Sequence, residues 1–217
     1  MDKARVIRTD TRDYKRIIAI SDIHADTDKL TRLMGKLKFS DDDLLVFMGD
    51  YIERGPDSLR TLRYVMELDR HDNVICLAGN CDNILEDVFE LRYRKDIGIY
   101  IEHMGRSILH EILREHAPEP DKFDLDTVRY LVDTFYSDER KWLASLGHIA
   151  DAVSSVFVHS GLKTEDIRNE DAEICLKYDG FIDDERIFPF TVIAGHIPCQ
   201  YINGTSGPVY DKEHNRI

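Results

Sequence analysis

Five short apolar runs in this chain each lead directly into a polar residue able to hold a metal ion or a proton. Arg16-Ile17-Ile18-Ala19-Ile20 leads to Asp22 and His24, Leu44 to Met48 to Gly49-Asp50, and Val74 to Ala78 to Gly79-Asn80. Val153 to Val158 leads to His159, and Phe190 to Ala194 leads to Gly195-His196. Runs of this length bounded by glycine and polar residues read as strands. Helical spacing separates the first three. Leu30, Leu33, Met34 and Leu37 share one predicted helix face. Pro56 opens a second helix through Leu59, Leu62, Val65, Met66 and Leu68, since proline is tolerated in a first turn. The β-α-β-α-β order predicts a layered α/β fold with a largely parallel start. In such folds sites gather beyond the carboxyl ends of the strands, which would bring all six polar residues to one edge.

The chemistry of that set suits metals. Asp22, Asp50, His24, His159, His196 and Asn80 offer two carboxylates, three imidazoles and an amide oxygen. Mixed oxygen and nitrogen donors favour Mn, Fe, Zn or Ni over Ca, and they lack the thiolate bias of a structural zinc site. A carboxylate can bridge two ions. Two ions about 3.5–4 Å apart generate hydroxide at neutral pH and clamp substrate oxygens. Taken singly, Asp-x-His, Gly-Asp and Gly-His are weak signals of turns or core groups. It is their ordered recurrence after apolar runs that is specific.

The rest of the chain bounds the alternatives. A net charge of −13 and no basic stripe argue against a nucleic-acid duplex as partner. No apolar run is long enough to span a bilayer, and Met1 to Arg16 lacks a signal-peptide core, so no membrane role and a cytoplasmic location are expected. Cys76, Cys81, Cys175 and Cys199 form no C-x-x-C pair, and Cys76 reads as core. From about 83 to 147 the sequence becomes long, charged and helix-forming, which predicts a helical insertion or cap within a single domain spanning 1–217. Pro118 and Pro120 mark a break inside it. A further strand is expected around Pro208 to Tyr210, with the sheet lacking an edge strand or the chain being a fragment.

These motifs resemble the calcineurin-like metallophosphoesterase superfamily, and within it the bacterial serine/threonine protein phosphatase branch. The resemblance runs from about Arg16 to Pro198. It rests on Asp22-Ile23-His24, Gly49-Asp50-Tyr51-Ile52-Glu53-Arg54-Gly55, Gly79-Asn80-Cys81-Asp82, Val158-His159 and Gly195-His196-Ile197-Pro198. It implies a β-sandwich of two mixed sheets flanked by helices. It also implies that Asp22, His24 and Asp50 hold one divalent ion, with Mn2+ the first expectation, and that Asp50, Asn80, His159 and His196 hold the other. Arg54 matches a phosphate-binding arginine, whose planar fork pairs with two phosphate oxygens. The implied activity is phosphate-ester hydrolysis by a metal-bridging hydroxide, with a phosphorylated protein or a nucleotide-like small molecule as substrate.

Three departures from the family pattern stand out. Cys81 replaces a histidine that helps protonate the leaving group, and Glu53 replaces the aspartate that orients that histidine. The Gly-Asn-Cys-Asp form resembles phosphodiesterase-type members. The usual second phosphate arginine is not evident, with Lys177 or Arg168 as substitutes. A neutral thiol cannot carry imidazolium charge, so leaving groups that need little protonation are favoured: aryl phosphates, pyrophosphate linkages and diesters. The leading reading is a phosphoprotein phosphatase-like hydrolase; the alternatives are a dinucleoside polyphosphate hydrolase or phosphodiesterase and, in another class, a catalytically impaired interaction module on the same fold.

Overall fold

The computed structural model describes residues 2–90, 106–116 and 125–217. Its centre is two sheets packed face to face. The first holds β2 (Arg16–Ile20), β3 (Asp43–Phe47) and β4 (Val74–Cys76), all parallel. The second runs in the order β1 (Val6–Arg8), β5 (Ile149–Asp151), β6 (Ser155–Val158) and β7 (Thr191–Ala194), parallel except between β5 and β6. This is the mixed α/β sandwich the family resemblance implies.

Alternation along β3 explains the layering. Successive strand side chains point to opposite faces. Leu44, Val46 and Met48 meet Ala150, Ala152 and Phe157 between the sheets, with Ile75 and Leu77 of the β4 segment. Leu45 and Phe47 face the other way, into a helical layer. With both faces covered, β3 is buried at every position and reads as an unbroken apolar run. The outer face of the second sheet is closed by Leu162, Cys175, Phe181 and Phe188.

The helical layer contains α1 (Thr27–Leu37) and α2 (Ser58–Leu68), then α3 (Ile84–Glu90), α4 (Ile108–His116), α5 (Leu125–Phe135) and α6 (Ser137–Ser145). The last four come from the 83–147 region. Their apolar faces (Leu85, Ile112 and Val132 among them) share one cluster with Leu62 of α2 and Phe47 of β3. Pro118 and Pro120 lie outside the described residues. α7 (Ala172–Leu176), a 3₁₀ turn (Asp179–Asp183) and α8 (Cys199–Asn203) flank the second sheet's end. Among the described residues no helix is long and apolar enough to cross a membrane.

Two expectations need correction. Leu33 lies on the solvent side of α1, while Leu30 and Met34 are buried. No strand forms over Pro208–Tyr210, where proline has no N–H to give a ladder. Residues 215–217 run beside β7 instead, with Val192 N–H on the Asn215 carbonyl at 2.8 Å and Ala194 N–H on that of Ile217 at 2.9 Å. The three-residue strands β1 and β5 were not foreseen, being too short to show periodicity.

Candidate metal centre

All five predicted strand ends converge. β2 delivers Asp22 and His24, β3 delivers Asp50, β4 leads to Asn80, β6 to His159, and β7 to His196. The turns are tight enough to require unusual backbone. Asp22, His24, Ala25, Asp50, Glu53, Arg54 and His196 all have positive φ. Such conformations persist only where the surroundings hold them, and they gather at functional sites. Gly49 (φ 89°) and Gly79 stack closely: a Cβ on Gly49 would lie 2.2 Å from the Gly79 nitrogen.

Asp50 is the centre. Its carboxylate is buried, with Oδ2 3.6 Å from His24 Nε2 and Oδ1 3.5 Å from His159 Nε2. His159 Nε2 is also 3.2 Å from Asn80 Oδ1, and Asp22 Oδ1 is 3.8 Å from His24 Nε2. Ligand atoms about 2.0–2.2 Å from a shared ion stand about 3.0–3.6 Å apart, so the separations around Asp50 and Asn80 fit metal coordination, while Asp22 and His24 stand slightly wider. Donors within 4.8 Å of one another form two groups that share Asp50: His24, Asp50 and Cys81, and Asp22, Asp50 and His159. Asp22 stands near His24 as well as His159, and Cys81 lies with His24 and Asp50. Among the described residues His196 falls in neither group.

Second contacts set the imidazole tautomers. His159 donates Nδ1–H to the Met48 carbonyl at 2.8 Å, which turns Nε2 inward as a lone-pair donor. Burial holds its pKa below the ordinary value and keeps it neutral, despite the pull of Asp50. His196 is tied by its backbone N–H to Asp22 Oδ2 at 2.9 Å, and its Nε2 pairs with Asp179 Oδ1 at 2.8 Å. That leaves Nδ1 as the nitrogen without a carboxylate partner.

Sequence reasoning gave no role to Asp82 or Asp179. Asp82 is fully buried and accepts backbone N–H groups from Asp50 (2.8 Å), Tyr51 (2.9 Å) and Gly79 (2.8 Å). It fastens the β3 and β4 turns together. Its place in Gly79-Asn80-Cys81-Asp82 was the available signal.

Cys81 is buried against the centre. Its backbone N–H meets Asp50 Oδ1 at 2.9 Å; its Sγ is 3.4 Å from Asn80 Nδ2 and 3.9 Å from an Arg54 nitrogen. Burial, and then the charge of Asp50, push the thiol's pKa well above its usual value. The Glu53 carboxylate accepts from Ser107 Oγ (3.0 Å) and Ile108 N–H (2.8 Å). Arg54 is exposed and borders a cavity of about 700 Å³ together with Asp22, His24 and His196. Phe181, Ile193, Ile197, Pro198 and Val209 give the cavity an apolar part of its lining. Lys177 and Arg168 are exposed and do not line it.

Known proteins resemble this chain in sequence or in fold. A bis(5'-nucleosyl)-tetraphosphatase PrpE [asymmetrical] from Bacillus velezensis is 31% identical over 157 residues, covering 68% of this chain and 57% of that protein. The chain spans about half the length of the curated relatives it matches. A solved structure of a candidate diadenosine tetraphosphatase superposes with a TM-score of 0.55 at 19% identity, covering 91% of this chain and 81% of that one. A protein serine/threonine phosphatase from Saccharomyces cerevisiae, described as similar to human phosphatase PP5, gives 0.54 at 14% identity, covering 88% and 64%. These last two show the fold. The calcineurin-like phosphoesterase profile matches residues 15–213, which include every strand end that feeds the Asp50 cluster, and on that match this chain belongs to the calcineurin-like phosphoesterase family.

Proposed function

We propose that this chain hydrolyses phosphate esters or anhydrides at a two-ion centre bridged by Asp50, and that its preferred substrates are nucleotide-type polyphosphates. The observation that carries the two-ion reading is the pair of contacts made by Asp50, whose two oxygens face two different imidazoles. The family works through a divalent metal centre, and the donor set here fits one. Asp22, His24, Asp50, Asn80, His159 and His196 would hold the ions, with Mn2+ the first expectation. When bound, such ions activate water and neutralise phosphoryl charge. Arg54 binds and orients the phosphoryl oxygens from the cavity rim. His159 is fixed as a neutral donor by Met48.

The substrate class follows from Cys81 and the cavity. A buried thiol cannot carry the charge of an imidazolium and supplies little acid catalysis, so leaving groups that are already weak bases are favoured, as in an anhydride. A cavity of about 700 Å³ with a partly apolar lining is far larger than one phosphoryl group requires and suits a planar base. A phosphoprotein is the second reading, because Arg54 is exposed and a phosphate on a protein surface could reach it.

The test is a metal analysis followed by a panel assay with diadenosine tetraphosphate, p-nitrophenyl phosphate, its diester and a phosphopeptide. Highest kcat/KM on the dinucleotide is expected. A phosphopeptide optimum would select the second reading. No turnover of any substrate by the Mn2+-loaded chain would mean an interaction module.

A further inference from the structure

Arg54 stands in a backbone that does not hold itself. Glu53 and Arg54 are consecutive non-glycine residues in the left-handed region, at φ 69° and 67°. L-residues pay about 1–2 kcal/mol each there, so something must impose the shape. The imposing contacts come from α4, more than fifty residues further along the chain.

Two helices are each capped by a carboxylate from the other's neighbourhood. Glu111 of α4 accepts Ser58 N–H on one oxygen at 2.7 Å and Leu59 N–H on the other at 2.9 Å. These are the first two N–H groups of α2, which a helix leaves without internal partners. The residue placed to cap α2, Asp57, makes no capping bond, and its side chain pairs with Arg60. In return, Glu53 accepts the Ile108 N–H that opens α4, together with Ser107 Oγ. Arg54 N–H meets the Arg106 carbonyl at 3.3 Å, and Glu53 N–H meets Ser58 Oγ at 3.2 Å. The segment carrying Arg54 is thus held at both ends, by Glu53 on α4 and by Glu111 on α2. Carboxylates on helix N-termini form charge-assisted bonds and complement the helix dipole.

We propose that Glu111 is a positioning residue for Arg54: with Glu53 it forms a two-way carboxylate clamp, so the phosphate grip exists only while α4 is docked on α2. The inference rests on the reading of Arg54 as a phosphate ligand. It gives part of the 83–147 region a role in the site through backbone contacts alone.

The experiment measures inhibition by inorganic phosphate in the metal-loaded full chain, in wild type, Arg54→Ala, Glu111→Ala, Glu111→Gln and the Arg54→Ala/Glu111→Ala double variant. Metal content and thermal unfolding are followed in each. Glu111→Ala should weaken phosphate inhibition roughly tenfold with metal content unchanged. The double variant should be no weaker than Arg54→Ala alone, because both changes remove the same grip. Glu111→Gln keeps one acceptor oxygen and should fall between; it carries the test if the alanine variant does not fold. A merely structural Glu111 would lower the melting temperature and leave phosphate inhibition of the folded protein intact. That result, or additive losses in the double variant, overturns the clamp. If Arg54→Ala itself leaves phosphate inhibition unchanged, the phosphate reading of Arg54 fails and the clamp fails with it, an outcome distinct from the other two.

Discussion

Replacing Cys81 by histidine should change which esters this protein hydrolyses best. The thiol is buried and lies 3.9 Å from Arg54. Imidazolium at that position would donate a proton to the departing oxygen. An alkyl ester leaves as a strongly basic alkoxide and gains most; an activated aryl ester gains little. A well-placed general acid contributes about 10²–10⁴-fold. The structure argues for the low end or below, because Glu53 is occupied at the start of α4 and cannot steady the ring. The expected rise in the alkyl-to-aryl ratio of kcat/KM is therefore about 10–100-fold, or roughly 1.4–2.7 kcal/mol. The larger ring in a buried position also costs roughly 1–3 kcal/mol of stability. Adding Glu53→Asp shortens the reach to Ser107 and Ile108, so it should lower the melting temperature without raising the ratio further. The assay compares an alkyl and an aryl phosphate monoester in wild type, the single and the double variant, with metal content measured in each. A flat ratio in metal-replete Cys81→His protein would refute the leaving-group account. A clear gain on adding Glu53→Asp would refute the assignment of Glu53 to α4.

Other outcomes follow from the same geometry. Asp50→Asn removes the charge between the two imidazoles and should abolish turnover with loss of bound metal, measured by elemental analysis; full metal content and activity would sink the two-ion reading. Gly55→Ala would place a Cβ 1.9 Å from the His24 carbonyl oxygen, which only backbone movement can relieve. A loss of about 2–4 kcal/mol is expected, lowering the melting temperature by roughly 4–16 °C, and an unchanged melting temperature would contradict the packing. His148 accepts the Arg5 N–H on Nδ1 at 2.9 Å, and burial, then Arg5, lower its pKa from 6.5 to about 4. The unfolded chain therefore binds the extra proton first, so this contribution is complete above pH 6.5 and drains away as pH falls toward 4. The pKa gap sets a ceiling of roughly 3 kcal/mol, which partial exposure reduces to about 1–2. Denaturant titrations of wild type and His148→Gln at pH 7 and pH 4.5 should show the variant losing less stability on acidification; parallel losses would exclude His148.

What the sequence determined was the placement of chemistry on strands. Each of the runs ending at Ile20, Met48, Ala78, Val158 and Ala194 is a local signal, since strand periodicity and the glycine turns after it are written within a few residues. Parallel pairing then sends those ends to one edge, so the Asp50 cluster was legible before any contact was known. The Gly-Asp-x-x-x-Arg-Gly segment marked Arg54 in the same way.

The tertiary structure alone decided the partners. The sequence pattern left Glu53 beside a leaving-group acid. The fold gives it instead to Ser107 and Ile108, a pairing across more than fifty residues that no local pattern encodes. The same is true of Glu111 on Ser58 and Leu59, of Asp179 on His196, and of Met48 turning His159. The strands β1 and β5 were hidden for a related reason. Three residues carry no period; β5 is placed by burial between the sheets, and β1 by its pairing with β5. Side-chain chemistry and short-range periodicity are properties of the chain. Hydrogen-bond partners and exposure are settled only when distant segments compete for the same buried space.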